Sequence, residues 1–230
     1  MTIETEEERS FSMAEARSVE LTERCPTCGA DMPAGFRFCG QCGRALSATL
    51  APNPDDVVTI VFFDLAGFSA FTSRSSEETV RGIIRVFHWL VREQLARYGG
   101  FEVKQLGDGF MIAFSSPRKA IGCSADVMRV CAPHDDGTGL PPAIRVCAGL
   151  NSGDAIREGD DFFGHTVNVA SRLVGRAEGG QILISEETRA LAGRMDGLDF
   201  IDLGRRRLRG LHGRMRLFEV VWWQTAGRPG

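Results

Sequence analysis

No stretch of this 230-residue chain approaches the roughly 20 consecutive apolar residues needed to span a bilayer. An excess of charge of one sign is also lacking. The formal net charge is −3, too balanced for bulk nucleic-acid binding or a polybasic membrane anchor. The first 24 residues include Glu4, Glu6, Glu7 and Glu8 but no hydrophobic h-region, so they do not read as a secretory signal. The expected compartment is the cytoplasm. A disulfide framework is missing too. Seven cysteines are an odd total, and Cys123, Cys131 and Cys147 stand singly in apolar surroundings. They read as reduced thiols serving as small core residues.

What is present suits a globular protein: 43% hydrophobic and 25% charged residues, enough to build a core. The organisation expected is a flexible acidic segment over 1–24, a cysteine-bearing module over 25–46 and a linker over 47–56, rich in Pro, Asn and Asp. One continuous domain then fills 57–224, ahead of a flexible tail at 225–230.

Within the main domain, Val57–Phe63 is a β-branched and aromatic run suited to a central strand covered on both faces. Ser75 and Glu78 form a candidate capping box for a helix that carries Val80, Ile83, Ile84, Phe87, Leu90, Val91, Leu95 and Tyr98 at helical spacing. Gly99-Gly100 ends it. Phe101–Leu106 and Phe110–Phe114 predict two strands joined through Gly107-Asp108-Gly109. A helix follows over 117–132, then a strand over 144–150 with a hairpin partner near 154–158. Helices at 167–177 and 185–191 bracket a short strand at 181–184, and 200–221 reads as further strands. Strands and helices mix without strict βαβ alternation, which predicts an α+β fold.

Two groups of residues carry chemistry. Cys25 and Cys28, then Cys39 and Cys42 after ten intervening residues, form CxxC-x10-CxxC. Each CxxC presents two thiolates to one ion, and two such knuckles close a tetrahedral zinc site. So short a segment has little apolar core, so metal binding supplies its folding energy. The spacing resembles zinc ribbons. Its purpose is expected to be contact with a regulatory protein partner rather than with nucleic acid.

The second group lies in the main domain. Asp64 ends the first buried strand and Asp108 sits in the hairpin turn, where Asp-Gly is equally a common turn former. Together they could converge on a hard cation such as Mg²⁺ or Mn²⁺, which prefers oxygen ligands. Asn168 and Arg172 are four apart and share one helical face. That face could serve a ribose and a phosphate, or be an ordinary solvated surface.

In order and spacing, the FxDxxGF segment around Asp64, the K-x3-D hairpin of Lys104 and Asp108, and the D-x6-N-x3-R run of Asp161, Asn168 and Arg172 match one family. The stretch from about Val57 to Val221 resembles the class III adenylate/guanylate cyclase catalytic domain. The resemblance implies a ferredoxin-like palm core, with a mixed, mainly antiparallel sheet flanked by helices. Asp64 and Asp108 would bind two divalent metals, Mg²⁺ or Mn²⁺, per active site. Lys104 would donate to adenine N1 and Asp161 would accept from its 6-amino group. Guanine presents the opposite donor and acceptor pattern at those atoms, and guanylate cyclases of the family typically use Glu and Cys instead. The substrate implied is therefore ATP. Asn168 would orient the ribose and Arg172 would offset charge on the α-phosphate. Arg209 falls near a basic residue that the family often places at the triphosphate. The family builds its active site between two catalytic domains, so a homodimer is implied. Alternatives are a guanylate cyclase, or a catalytically silent adaptor in which the main domain only dimerises.

Overall fold

The computed structural model describes residues 22–25, 28–33, 39, 41, 51–53, 55–132, 140–141 and 144–223. Two three-residue strands come first, β1 (Thr22–Arg24) and β2 (Asp31–Pro33), paired antiparallel on either side of the first cysteine knuckle. The main domain opens with β3 (Val58–Ala66), the short helix α1 (Phe68–Thr72) and the long helix α2 (Glu77–Tyr98). Next come β4 (Phe101–Leu106), β5 (Gly109–Phe114), α3 (Pro117–Cys131) and β6 (Arg145–Gly153). The chain continues through β7 (Ile156–Glu158), β8 (Asp161–Phe163), α4 (His165–Val174) and β9 (Ile182–Ser185). It closes with α5 (Glu186–Ala192), β10 (Asp199–Arg206) and β11 (Met215–Val221).

Seven strands form one sheet in the order β10-β11-β9-β6-β3-β5-β4, antiparallel throughout except for the β6–β9 pair. Its β3-α2-β4-β5-α3-β6 portion is the split βαβ arrangement of a ferredoxin-like core. The α+β class and the mixed, mainly antiparallel sheet are as the sequence predicts.

The sheet buries both faces. On one side Val61, Phe63 and Leu65 of β3 pack with Phe87, Val91 and Leu95 of α2 and with Ala120, Ile121 and Cys123 of α3. On the other, Val58, Ile60 and Phe62 pack with Phe162 and Ala170 of β8 and α4. Burying each large apolar side chain stabilises by about 1.5–3 kcal/mol, so this two-sided core dominates the fold. Cys123, Cys131 and Cys147 are all buried, and burial pushes the Cys131 and Cys147 thiols up to about 12. They are inert core residues at neutral pH.

Three local expectations are corrected. The α2 cap is Ser76, whose hydroxyl accepts from the Thr79 amide at 3.2 Å, rather than Ser75. Ser76 takes the extended backbone that lets its hydroxyl reach three residues on. Strand β3 runs two residues past Asp64, because Leu65 and Ala66 keep pairing with Val146 and Arg145 of β6. The segment after β6 does not pair with β6; β7 pairs with β8 as a separate two-stranded ribbon.

Trp222 packs under the last strand, donating from Nε1 to the Gly180 carbonyl at 2.8 Å, with Trp223 edge-on to it. Among the described residues, no helix is long and apolar enough to cross a membrane.

Candidate active site and metal centres

Asp64 belongs to the even-numbered face of β3, the face covered by α4, where Val58, Ile60 and Phe62 precede it. The β3–β5 ladder, whose last pair is Phe63 with Phe110, brings the β4–β5 turn alongside it. Gly109 makes this approach possible. A Cβ there would lie 2.6 Å from the Phe63 carbonyl oxygen and 3.6 Å from Asp64 Oδ1. Asp108, one residue earlier, is close enough for its charge to act on Asp64. Burial, then the Asp108 charge, hold the Asp64 carboxyl above the usual carboxylate range, against a hydrogen bond from the Leu65 amide. A divalent cation would relieve the raised Asp64 carboxyl, and the oxygens of these two side chains are the donors Mg²⁺ or Mn²⁺ takes. The residues present therefore fit such an ion.

Lys104 and Asp161 meet directly. Lys104 Nζ donates to Asp161 Oδ1 at 2.8 Å and Oδ2 at 2.6 Å. Both side chains are about a third exposed, at 39% and 32%. Asp161 Oδ1 also accepts from the Phe162 amide at 2.8 Å. The Lys104 hydrogen bond, foremost, and the Phe162 amide hold this carboxyl below its ordinary range, against the opposing effect of burial. The Phe163 ring lies 5.6 Å from Lys104 Nζ, a cation–π contact that the sequence pattern did not reveal. Phe163 itself is 43% exposed, as is its cross-strand partner Ile156 at 63%.

Asn168 and Arg172 both lie on the exposed face of α4, while Val169, Ala170 and Leu173 are buried. Helix α4 sits tightly on the sheet because of Gly149, where a Cβ would fall 2.1 Å from the Val174 nitrogen. Among the described residues, no hydrogen bond or ion pair joins Asn168 or Arg172 to either carboxylate group. Arg172 instead faces the β10–β11 loop: its Nη2 is 3.9 Å from where a Gly210 Cβ would stand, next to the exposed Arg209. One chain thus assembles the acidic pair and the Lys–Asp pair, and leaves the Asn/Arg face open.

The histidines stand apart from this site or at its margin. His88 is buried in α2, edge-on to Phe110 at 4.9 Å, and burial with the Arg92 charge lowers its pKa to about 4. His165 and His212 are exposed, and His134 lies outside the described residues.

At the N-terminus, the sulfur atoms of Cys25, Cys28 and Cys39 all lie within 4.8 Å of one another, and Cys28 Sγ to Cys39 Sγ is 3.5 Å. Tetrahedral zinc with bonds of about 2.3 Å separates its sulfurs by about 3.8 Å, so three thiols stand where zinc ligands belong. Gly29, directly after the first knuckle, has φ 74° and donates to the Cys25 carbonyl, closing the turn. Cys42 lies outside the described residues.

Comparison with known proteins gives two family matches. Residues 50–221 match the adenylate and guanylate cyclase catalytic domain, and residues 24–46 match a zinc-ribbon domain. The chain is 33% identical over 166 residues to a pH-sensitive adenylate cyclase of Mycobacterium tuberculosis, covering 71% of this chain and 40% of that protein. It is 32% identical over 167 residues to an adenylate cyclase of Lachancea kluyveri, covering 63% of this chain and 9% of that protein. This chain thus spans less than half the length of either relative. Among solved structures, an adenylate cyclase from Trypanosoma brucei in its monomeric state superposes with a TM-score of 0.69 at 25% identity, covering 78% of this chain and 94% of that one. An adenylate/guanylate cyclase/hydrolase from Silicibacter pomeroyi gives 0.64 at 27% identity, covering 72% and 96%.

Proposed function

The chain belongs to the adenylate and guanylate cyclase catalytic domain family, with a zinc-ribbon domain ahead of it, and we propose that it converts ATP to 3′,5′-cyclic AMP and pyrophosphate. The Lys104–Asp161 pair carries the choice of ATP. A cationic donor and an anionic acceptor, already hydrogen-bonded to each other, match the N1 acceptor and 6-amino donor of adenine. Guanine would bring donor against donor and acceptor against acceptor at the same two atoms.

The reaction is an in-line displacement at phosphorus. The ribose 3′-oxygen forms a bond to the α-phosphorus, the bond to the β-phosphate bridging oxygen breaks, and the hydroxyl proton leaves to solvent. Asp64 and Asp108 would hold two Mg²⁺ or Mn²⁺ ions, which when bound supply Lewis-acid stabilisation of the triphosphate and acidify the attacking hydroxyl. Lys104 and Asp161 fix the purine. Asn168 orients the ribose, and Arg172 offsets the negative charge that grows around the α-phosphate. Arg209, next in sequence to the Gly210 that Arg172 approaches, would meet the leaving pyrophosphate. Positioning and charge, rather than a side-chain base, carry the rate.

A homodimer shares the site: one protomer supplies the acidic pair, its partner the purine pair with Asn168 and Arg172. What supports this reading is that, among the described residues, no hydrogen bond or ion pair joins Asn168 or Arg172 to Asp64. The ribbon cysteines Cys25, Cys28, Cys39 and Cys42 hold one structural zinc.

Purified protein incubated with ATP or GTP and Mn²⁺ or Mg²⁺ tests the activity by chromatography of the products. Cyclic AMP from ATP, with little cyclic GMP from GTP, is expected. Cyclic GMP as the main product overturns the substrate assignment, and no cyclic nucleotide overturns the enzyme.

A further inference from the structure

The purine-reading lysine sits on an edge strand. Strand β4 lies at the end of the seven-stranded sheet and, among the described residues, is hydrogen-bonded to β5 alone. Its register breaks between Glu102 and Lys104: Glu102 pairs with Ile112, yet Lys104 pairs with Met111, leaving Val103 as the extra residue of a β-bulge. Directly paired residues share a face of the sheet. Glu102 and Gln105 therefore take the face of Ile112 and Phe110, against α2 and α3. Lys104 takes the face of Met111, with Phe162 and Ala170. In an unbroken strand, Lys104 would lie on the same face as Glu102, turned away from Asp161. The bulge is what turns it toward Asp161.

Helix α2 holds the two residues that flank the bulge and Lys104. Arg92 Nε donates to Glu102 Oε2 at 2.8 Å and Arg92 Nη2 to Glu102 Oε1 at 2.7 Å, a two-pronged pair with side chains only 7% and 16% exposed. The same Nη2 reaches Gln105 Oε1 at 3.3 Å. The guanidinium also lies 5.4 Å from the centre of the Phe110 ring, the residue paired with Gln105. An arginine fork with this geometry fixes direction as well as distance. It grips β4 just before and just after Lys104.

We propose that Arg92 is a positioning residue for purine recognition: by clamping Glu102 and Gln105 from α2, it maintains the β4 bulge that presents Lys104 to the nucleotide. This rests on the cyclase reading above and adds the device that sets its base preference. Removing Arg92 alone strands the Glu102 carboxylate in a buried place, which threatens folding. The informative variant is therefore the double Arg92→Met/Glu102→Met, which leaves no buried charge. Gln105→Ala, at an exposed position, removes one arm of the clamp without touching the ion pair.

Two readouts separate the clamp from a merely structural role. Lys104 and Lys119 are the chain's two lysines, so limited acetylation followed by peptide mass spectrometry compares Lys104 with an exposed internal reference. Release of Lys104 from Asp161 is expected to raise the Lys104-to-Lys119 labelling ratio severalfold in the double variant and less in Gln105→Ala. In turnover, KM for ATP is expected to rise about tenfold, with kcat less affected and the preference for ATP over GTP reduced. A double variant that melts cooperatively yet keeps the wild-type labelling ratio, KM and base preference overturns the clamp. So does Gln105→Ala with an unchanged labelling ratio if the double variant does not fold. Wild-type protein that makes no cyclic nucleotide overturns the cyclase reading instead, and the labelling ratio still decides the clamp.

Discussion

Lys104 Nζ bonds to both carboxylate oxygens of Asp161, at 2.8 and 2.6 Å, across 57 residues of sequence. The lysine comes from an edge strand and the aspartate from the first position of a three-residue strand. Their meeting sets a donor and an acceptor side by side, the pair proposed to read the purine.

Exchanging that pair should exchange the substrate. Lys104→Glu with Asp161→Cys offers an acceptor to guanine N1 and a weak donor to its O6. Each mismatched buried hydrogen bond costs about 1–3 kcal/mol, so the double variant should lose cyclic AMP formation by about 100-fold and gain cyclic GMP formation from GTP. Steady-state rates with each nucleotide check this; unchanged preference for ATP would remove these residues from purine recognition.

Asp64→Asn should trade activity for stability. Because the folded Asp64 carboxyl titrates above its ordinary value, the native state holds more protons than the unfolded state between the two values. Stability then falls as pH rises through that window and stays lower above it. Replacing the carboxylate by a neutral amide removes this cost, so Tm without metal should rise at pH 7. Added Mn²⁺ should raise Tm of the wild type but not of the variant, and turnover should fall at least about 100-fold. Differential scanning fluorimetry with and without Mn²⁺ measures both. A variant with a lower metal-free Tm, or an undiminished Mn²⁺ response, would contradict the acidic-pair assignment.

The ribbon should be a separate, zinc-dependent unit. Metal analysis should find one zinc per chain, and Cys39→Ser should reduce it below half occupancy. The cooperative melting of the main domain should persist, since among the described residues its core contains no ribbon residue. Loss of that transition on zinc removal would show that the two parts fold together.

Much of this was legible in the residue pattern. The long helix announced itself by its apolar spacing and its Gly99 stop, and the buried strands by their β-branched and aromatic runs, because periodicity reports burial directly. Asp64, Asp108, Lys104, Asp161, Asn168 and Arg172 stand out in the sequence through their match to the cyclase family pattern. What escaped had no period to report. Strand β8 is three residues long, too short to alternate visibly, so the pattern assigns Asp161 to no element. The bulge at Val103 breaks alternation in β4, and Phe-Glu-Val-Lys-Gln-Leu gives no sign of it. Arg92 lies on the buried side of α2 beside Val91 and Leu95. A charge on an apolar stripe was the one available sign of the clamp.

Subunit mixing tests the shared-site account most directly. Asp64→Ala and Arg172→Ala damage opposite halves of the site, so each variant alone should make no cyclic AMP from ATP. Mixed in equal amounts with free exchange, half the dimers become heterodimers that hold one intact site. Cyclic AMP formation should then return to about a quarter of the wild-type rate. No recovery despite demonstrated exchange, or full activity in either variant alone, would contradict a cyclase site built across two copies of this chain.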